Sequence, residues 1–119
     1  MRFGFHISIS GGFSKVVSRA KTKGCEAIQV FSRNPRGWKY TPLDLDEVGK
    51  LKEDLGQSGI SPVFVHMHYL TNLACLKEEM YSDSIDSVCV DLERADVLAA
   101  QYLIIHVGKR LETPEEESL

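Results

Sequence analysis

The 119-residue sequence has no pair of cysteines spaced as CxxC, and its three cysteines, Cys25, Cys75 and Cys89, are odd in number and far apart. That pattern excludes a zinc knuckle built on such pairs. It argues against a disulfide framework and for reduced thiols in a cytosolic protein. No apolar run approaches the roughly 18 residues that a membrane-crossing helix needs. The opening MRFGFHISIS lacks both a long apolar core and a small-residue cleavage site, so no secretory signal is expected and a cytoplasmic location is the default. The first glycine-bearing turn, HISISGGFS, fits neither GxGxxG nor GxxxxGK[ST], which lowers the expectation of a nucleotide-binding fold.

What is present is ordinary in bulk and uneven in distribution. An apolar fraction of 43% and a charged fraction of 26% suit a soluble globular chain of one domain or part of one. The net charge of −3 conceals an asymmetry. Residues 1–40 hold eight basic side chains (Arg2, Lys15, Arg19, Lys21, Lys23, Arg33, Arg36 and Lys39) against the single acid Glu26, a local balance of +7. Four glutamates, Glu112, Glu115, Glu116 and Glu117, crowd an acidic tail over 111–119, where disorder is expected. A basic face on an acidic chain is thus permitted, although a solvated helix surface would also account for Lys15, Arg19 and Lys23.

Periodicity gives strand, helix, strand, helix, strand, helix, strand. FGFHI (3–7), AIQVF (27–31), PVFVH (62–66) and YLIIH (102–106) read as strands, the third being nearly continuous in apolar residues, as in a parallel sheet covered on both faces. Phe13, Val16, Val17 and Ala20 repeat at helical spacing, with Gly24 beyond them. Asp44 and Glu47 form a plausible capping box for a second helix with Leu45, Val48, Leu51, Lys52 and Leu55 on one stripe, ended by Gly56 and Gly59. A third helix between 77 and 100 is expected to bury Ile85, Val88, Cys89, Leu92 and Ala99 and to turn Asp86, Asp91, Glu93 and Arg94 to water. Such alternation predicts parallel βαβ units with right-handed crossovers. A (β/α)8 barrel is favoured over an open doubly wound sheet, and four strands with three helices make half of one.

All four histidines fall at strand C-terminal ends: His6 after the first, His66 and His68 after the third, His106 after the fourth. In parallel α/β folds these ends and their loops form the active-site face. Neutral imidazoles on neighbouring strands can converge on one metal, so His66 and His106 are candidate ligands; the competing reading makes each a hydrogen-bonded strand cap. His68 is expected to be an exposed loop residue, on the same side as His66 if the chain stays extended. His6 is expected to be a hydrogen-bonded residue at the barrel mouth. The loop SRNPRGWKY, with three basic and two aromatic residues, suits phosphates and bases, or is a surface loop anchored by Trp38. Tyr69 would project from the same face.

GFHISISGGF, FSRNPRGWK, VHMHYLTNLA and LIIHVG together resemble the successive signatures of the endonuclease IV family, zinc-dependent apurinic/apyrimidinic endonucleases of base-excision DNA repair. The resemblance runs along essentially the whole chain. It implies a TIM barrel with three zinc ions that cleaves the phosphodiester 5′ to an abasic site. It further implies that His66 and His106 ligate the same zinc and that Arg36 and Tyr69 enter the DNA at the lesion. Extruding an abasic nucleotide costs less than flipping a stacked, paired one, which suits such probing. At His68 the family more often has a small residue or proline, so the resemblance gives this histidine no role.

The resemblance places four further strands, with the bridging glutamate and the remaining aspartate, histidine and glutamate ligands, outside these 119 residues. The chain is therefore expected to be the N-terminal half of such a barrel, to hold at most part of one zinc site and to be inactive alone. Unpaired sheet edges and uncovered apolar faces favour self-association or docking of a C-terminal half. Two rivals are a metal-dependent sugar isomerase or epimerase on the same barrel and a non-catalytic half-barrel that binds DNA. The basic, aromatic loop after the second strand speaks against the first.

Overall fold

A computed structural model describes residues 1–109 of the chain; the acidic tail expected at 111–119 lies outside the described residues. Four short strands, β1 (Gly4–His6), β2 (Ala27–Phe31), β3 (Val63–His66) and β4 (Tyr102–Ile104), form one parallel sheet in the order β1-β2-β3-β4. Between them come α1 (Val16–Thr22), entered through a 3-10 turn at Phe13–Lys15, then α2 (Leu45–Ser58) and α3 (Glu78–Val97).

Register decides which side chains share a face. Ile28 and Val63 lie in one row across the sheet, and Val30, Val65 and Leu103 in another. With Ile7 they pack against Val16, Val17 and Ala20 of α1, Val48 and Leu51 of α2, and Ala95 of α3, so the helices cover one face of the sheet. The alternate residues, Gln29, Phe31, Phe64, His66 and Ile104, occupy the other face and are only half-buried. Strands in sequential order with helices on one side form half of a (β/α)8 barrel, whose helix-free face lines the barrel interior. The open sheet considered as the alternative is thereby set aside.

The stripe on α1 is buried as expected, and α2 is capped by Asp44, whose Oδ1 accepts from the backbone N–H groups of Asp46 (3.0 Å) and Glu47 (3.3 Å). The reciprocal half of a capping box does not form. Glu47 reaches outward and accepts from the N–H of Ser14 at 2.7 Å, so it satisfies an otherwise free donor at the start of the preceding helical segment. Gly56 stays within α2; the helix ends at Gly59, which takes the left-handed conformation at φ 73°. In the stripe, Val48 and Leu51 are buried, and Leu45 is exposed.

The greatest departure lies on α3. Its buried residues are Ser84, Ser87, Asp91, Arg94 and Ala95, whereas Ile85 is 40% and Leu92 52% exposed and Cys89 faces outward. The expected inner and outer faces are therefore exchanged at most positions. The polar groups are buried because each finds a partner on a loop: Ser87, Asp91 and Arg94 on the loop after β2, described below, and Ser84 on the loop after β3, where its Oγ accepts from the Asn72 N–H at 2.8 Å. Two energetic expectations follow from this packing. Leu51→Ala should cost about 2–5 kcal/mol by opening a cavity, and Asp44→Ala about 1 kcal/mol by removing the cap, both read from urea-denaturation midpoints followed by circular dichroism.

Candidate metal and nucleic-acid site

The four strands deliver their C-terminal ends to one edge of the half-barrel. His66, the last residue of β3, faces the barrel interior in register with Phe31 and Ile104. Its Nδ1 lies 2.8 Å from the carbonyl oxygen of Met67 and so donates to it. That bond fixes the tautomer and leaves Nε2 with its lone pair free for an ion, the usual way a backbone carbonyl orients a ligating imidazole. His106 lies two residues beyond β4, and its Nε2 is 3.1 Å from Nε2 of His66. The two ring nitrogens thus converge at a spacing that suits shared bonds of about 2.0–2.1 Å to one zinc ion. Two imidazoles are half or less of a zinc donor set, and among the described residues no group of three or more His, Cys, Asp or Glu side chains comes together.

Around this pair sits an aromatic cluster centred on Phe31. Its ring is 4.5 Å from His6, 5.6 Å from His66 and 5.2 Å from Tyr69, the last two edge-on. Tyr69 is 55% exposed and its ring lies 6.4 Å from that of His66. His6 accepts at Nδ1 from the side-chain amide N–H of Gln29 at 3.0 Å, the hydrogen-bonded role expected of it. Burial, followed by the like charge on His66, pushes the His6 pKa down. A concavity of about 580 Å³ opens beside the pair, lined by His66, Tyr69, Asn72, His106 and Lys109 among others.

Arg36 is exposed on the loop after β2, with its backbone N–H donating to Asn34 Oδ1 at 3.1 Å. It is brought near Tyr69 through the backbone: the Tyr69 N–H donates to the carbonyl of Pro35 at 2.9 Å. The loops carrying the two proposed DNA contacts are therefore stitched together at adjacent positions.

The support beneath them is the polar face of α3. Asp91, 1% exposed, accepts from Ser32 Oγ at 2.8 Å, from Arg33 Nε at 3.1 Å and from the backbone N–H of His68 at 3.3 Å. Arg33 also donates to the carbonyl and hydroxyl of Ser87. Arg94 donates to the carbonyls of Ser32 and Thr41, the latter at 2.8 Å. The Tyr40 ring lies 5.1 Å from the Arg33 guanidinium and 5.5 Å from that of Arg94. Burial and the neighbouring Arg33 cation lower the Arg94 pKa, against the opposing pull of Asp91.

His68, expected to be exposed, is 1% exposed. The chain leaves its extended path after β3, so His68 does not follow the side of His66. Its Nε2 donates to the carbonyl of Gly37, its Nδ1 accepts from the Leu70 N–H at 3.2 Å, and the Trp38 ring lies 4.9 Å away. Burial pushes its pKa down, with Arg33 adding to the effect and the Gly37 bond and Asp91 opposing it.

Asn72 has no role assigned from the sequence, although the YLTNLA segment that contains it is one of the specific stretches. Its Oδ1 accepts from the N–H groups of Ala74 and Lys109, both at 3.1 Å, and its amide donates to the Lys109 carbonyl at 3.0 Å. This binds the exit of β4, and with it His106, to the loop after β3. Gly108 (φ 121°) approaches so closely that a Cβ there would collide with Asn72 Oδ1.

Comparison with known proteins gives these features a common setting. A protein of Cenarchaeum symbiosum named probable endonuclease 4 is 41% identical over 121 aligned residues, covering 100% of this chain and 43% of that protein. A protein of the same name from Methanosphaerula palustris is 42% identical over 108 residues, covering 91% of the chain and 38% of its own length. The crystal structure of endonuclease IV from Thermus thermophilus superimposes with a TM-score of 0.87 at 33% identity, over 99% of this chain and 43% of that one. In sequence and in fold, the chain matches the N-terminal half of endonuclease IV. No family model matches it. The chain thus spans about two fifths of the length of these endonuclease IV relatives.

The buried polar face of α3 sets a measurable expectation for this half-barrel. Asp91→Ala, which strands Arg33, should cost about 3–5 kcal/mol, whereas Ile85→Ala on the exposed apolar face should stay within about 0.5 kcal/mol. Equal losses in chemical denaturation would contradict the burial described for α3.

Proposed function

We propose that the chain is the DNA-probing half of a zinc-dependent nuclease that cuts the phosphodiester 5′ to abasic sites, with His66 and His106 as two ligands of one zinc and Arg36 and Tyr69 as the side chains that enter the duplex. The observation that carries the proposal is the 3.1 Å convergence of the two histidine Nε2 atoms beside the exposed Tyr69, in a chain that matches endonuclease IV along its length. Zinc, when bound, would supply a Lewis acid for a phosphate oxygen. The chain's own residues bind and orient. Met67 holds the His66 ring by its carbonyl, Arg36 offers a planar cation to backbone phosphate, and Tyr69 offers an aromatic face where a base is missing.

The half-open inner face, where the Phe64 and Tyr102 rings stack at 5.2 Å, supports its being covered by the remaining strands of the barrel, a second copy being the competing occupant. Three free thiols are in keeping with a reducing, cytoplasmic compartment. No helix among the described residues is long and apolar enough to cross a membrane.

Two measurements test the reading. Zinc titration calorimetry should show weak uptake by the 119-residue chain that is lost in both His66→Ala and His106→Ala; uptake untouched by either would place the metal elsewhere. Fluorescence anisotropy should show a preference for a duplex bearing a stable abasic analogue over the intact duplex. Binding should weaken with salt, and Arg36→Ala should reduce the log–log salt slope by roughly one. Equal affinity for both duplexes would favour a general DNA-binding half-barrel. With zinc added and a chelator control, no incision is expected from the chain alone; incision that His66→Ala abolishes would show a complete catalytic site within it.

A further inference from the structure

We propose that His68 is a positioning residue that clamps the loop after β2 to the loop after β3, so that Arg36 and Tyr69 are presented as one unit. The inference deepens the proposed function and rests on it for the roles of those two side chains. Its geometry stands independently.

His68 sits between the two loops and bonds to both. On one side its Nδ1 accepts from the N–H two residues ahead, Leu70, at 3.2 Å, and so shapes the turn that carries Tyr69. An imidazole here does what an Asn or Asp side chain does in an Asx-turn. On the other side its Nε2 donates to the carbonyl of Gly37, the residue after Arg36. Accepting at one nitrogen and donating at the other requires the neutral ring with its proton on Nε2. The Trp38 ring, 4.9 Å away at 44°, covers the contact, and Asp91 Oδ2 accepts from the His68 backbone N–H at 3.3 Å. The Tyr69 N–H to Pro35 carbonyl bond, 2.9 Å, runs parallel to this bridge. Arg36 is thus bracketed by a bond at Pro35 and a bond at Gly37, both leading to the segment 68–69. A small residue or proline at position 68 would leave only the first of these.

Trp38 is the chain's single tryptophan, so its emission reports on the clamp directly. Loss of the ring in His68→Ala should shift the emission to the red and increase acrylamide quenching, with the far-ultraviolet spectrum unchanged. His68→Gln places an amide nitrogen near the position of Nε2 and should recover part of the DNA affinity. His68→Asn keeps the turn-forming acceptor but falls short of Gly37, and should bind DNA as His68→Ala does. Against the abasic duplex, His68→Ala should lose about tenfold in affinity, the order of cost expected when a pre-ordered pair of loops must be fixed on binding. Long-range nitrogen NMR of the unsubstituted chain, which needs no variant to fold, should show the Nε2–H tautomer at His68.

An Nδ1–H tautomer, or Trp38 emission indifferent to His68→Ala, would overturn the clamp. So would equal DNA binding by His68→Gln and His68→Asn. A Trp38 response in a wild-type chain that shows no preference for the abasic duplex would leave the clamp in place and remove the functional reading instead.

Discussion

One buried carboxylate organises the half of the molecule that faces the proposed substrate. Asp91 accepts from Ser32, from Arg33 and from the backbone of His68, so a single group on α3 ties together the exits of two strands. A carboxylate so thoroughly removed from water is tolerable only when its lone pairs are filled and its charge is matched. Ser32 and Arg33 meet both conditions, and Ser87 and Thr71 extend the same network. No side-chain nitrogen or oxygen atom buried among the described residues lacks a hydrogen-bond partner. That completeness favours a single arrangement of the loops above, since a partly filled network would leave several conformations of similar energy.

The division of labour between the two faces of the sheet is equally physical. Aliphatic rows on one face bind the helices, while the other face carries rings and histidines that converge at the strand ends. In endonuclease IV from Thermus thermophilus, with which the chain shares its fold, this set of elements accounts for less than half of the polypeptide. The described half brings two imidazoles and an aromatic surface to the mouth. The rest of a metal donor set is not found among its described residues.

Local chemistry made much of this legible in the sequence. Short β-branched runs marked the strands, helical spacing marked α1, and the placement of histidines after strands pointed to His66 and His106 before any distance was known. What stayed hidden depended on partners remote in the chain. Apolar periodicity assigns burial by hydrophobicity, so it turned Asp91 and Arg94 outward, whereas Arg33, Ser32 and Thr41 make their burial favourable. Strand periodicity carried His68 to the side of His66, because nothing local announced that Gly37 would draw it inward. Glu47 has the spacing of a capping box yet serves Ser14, a residue outside its own helix. Asn72 was visible only as part of a distinctive segment; its role required knowing that Lys109 returns beside it.

The separation between Asp91 and its loop partners also has a kinetic side. The contacts from Arg33 and Ser32 to α3 span 54 to 62 residues. Each requires closure of a long chain segment, whereas the caps and helix stripes that build the layers are local. Docking of α3 is therefore expected to come late and to complete the shape of the loops that bear Arg36 and Tyr69. Order at the mouth of the half-barrel is set from below, by the polar face of a helix whose first turn lends Met80 to the wall of the concavity.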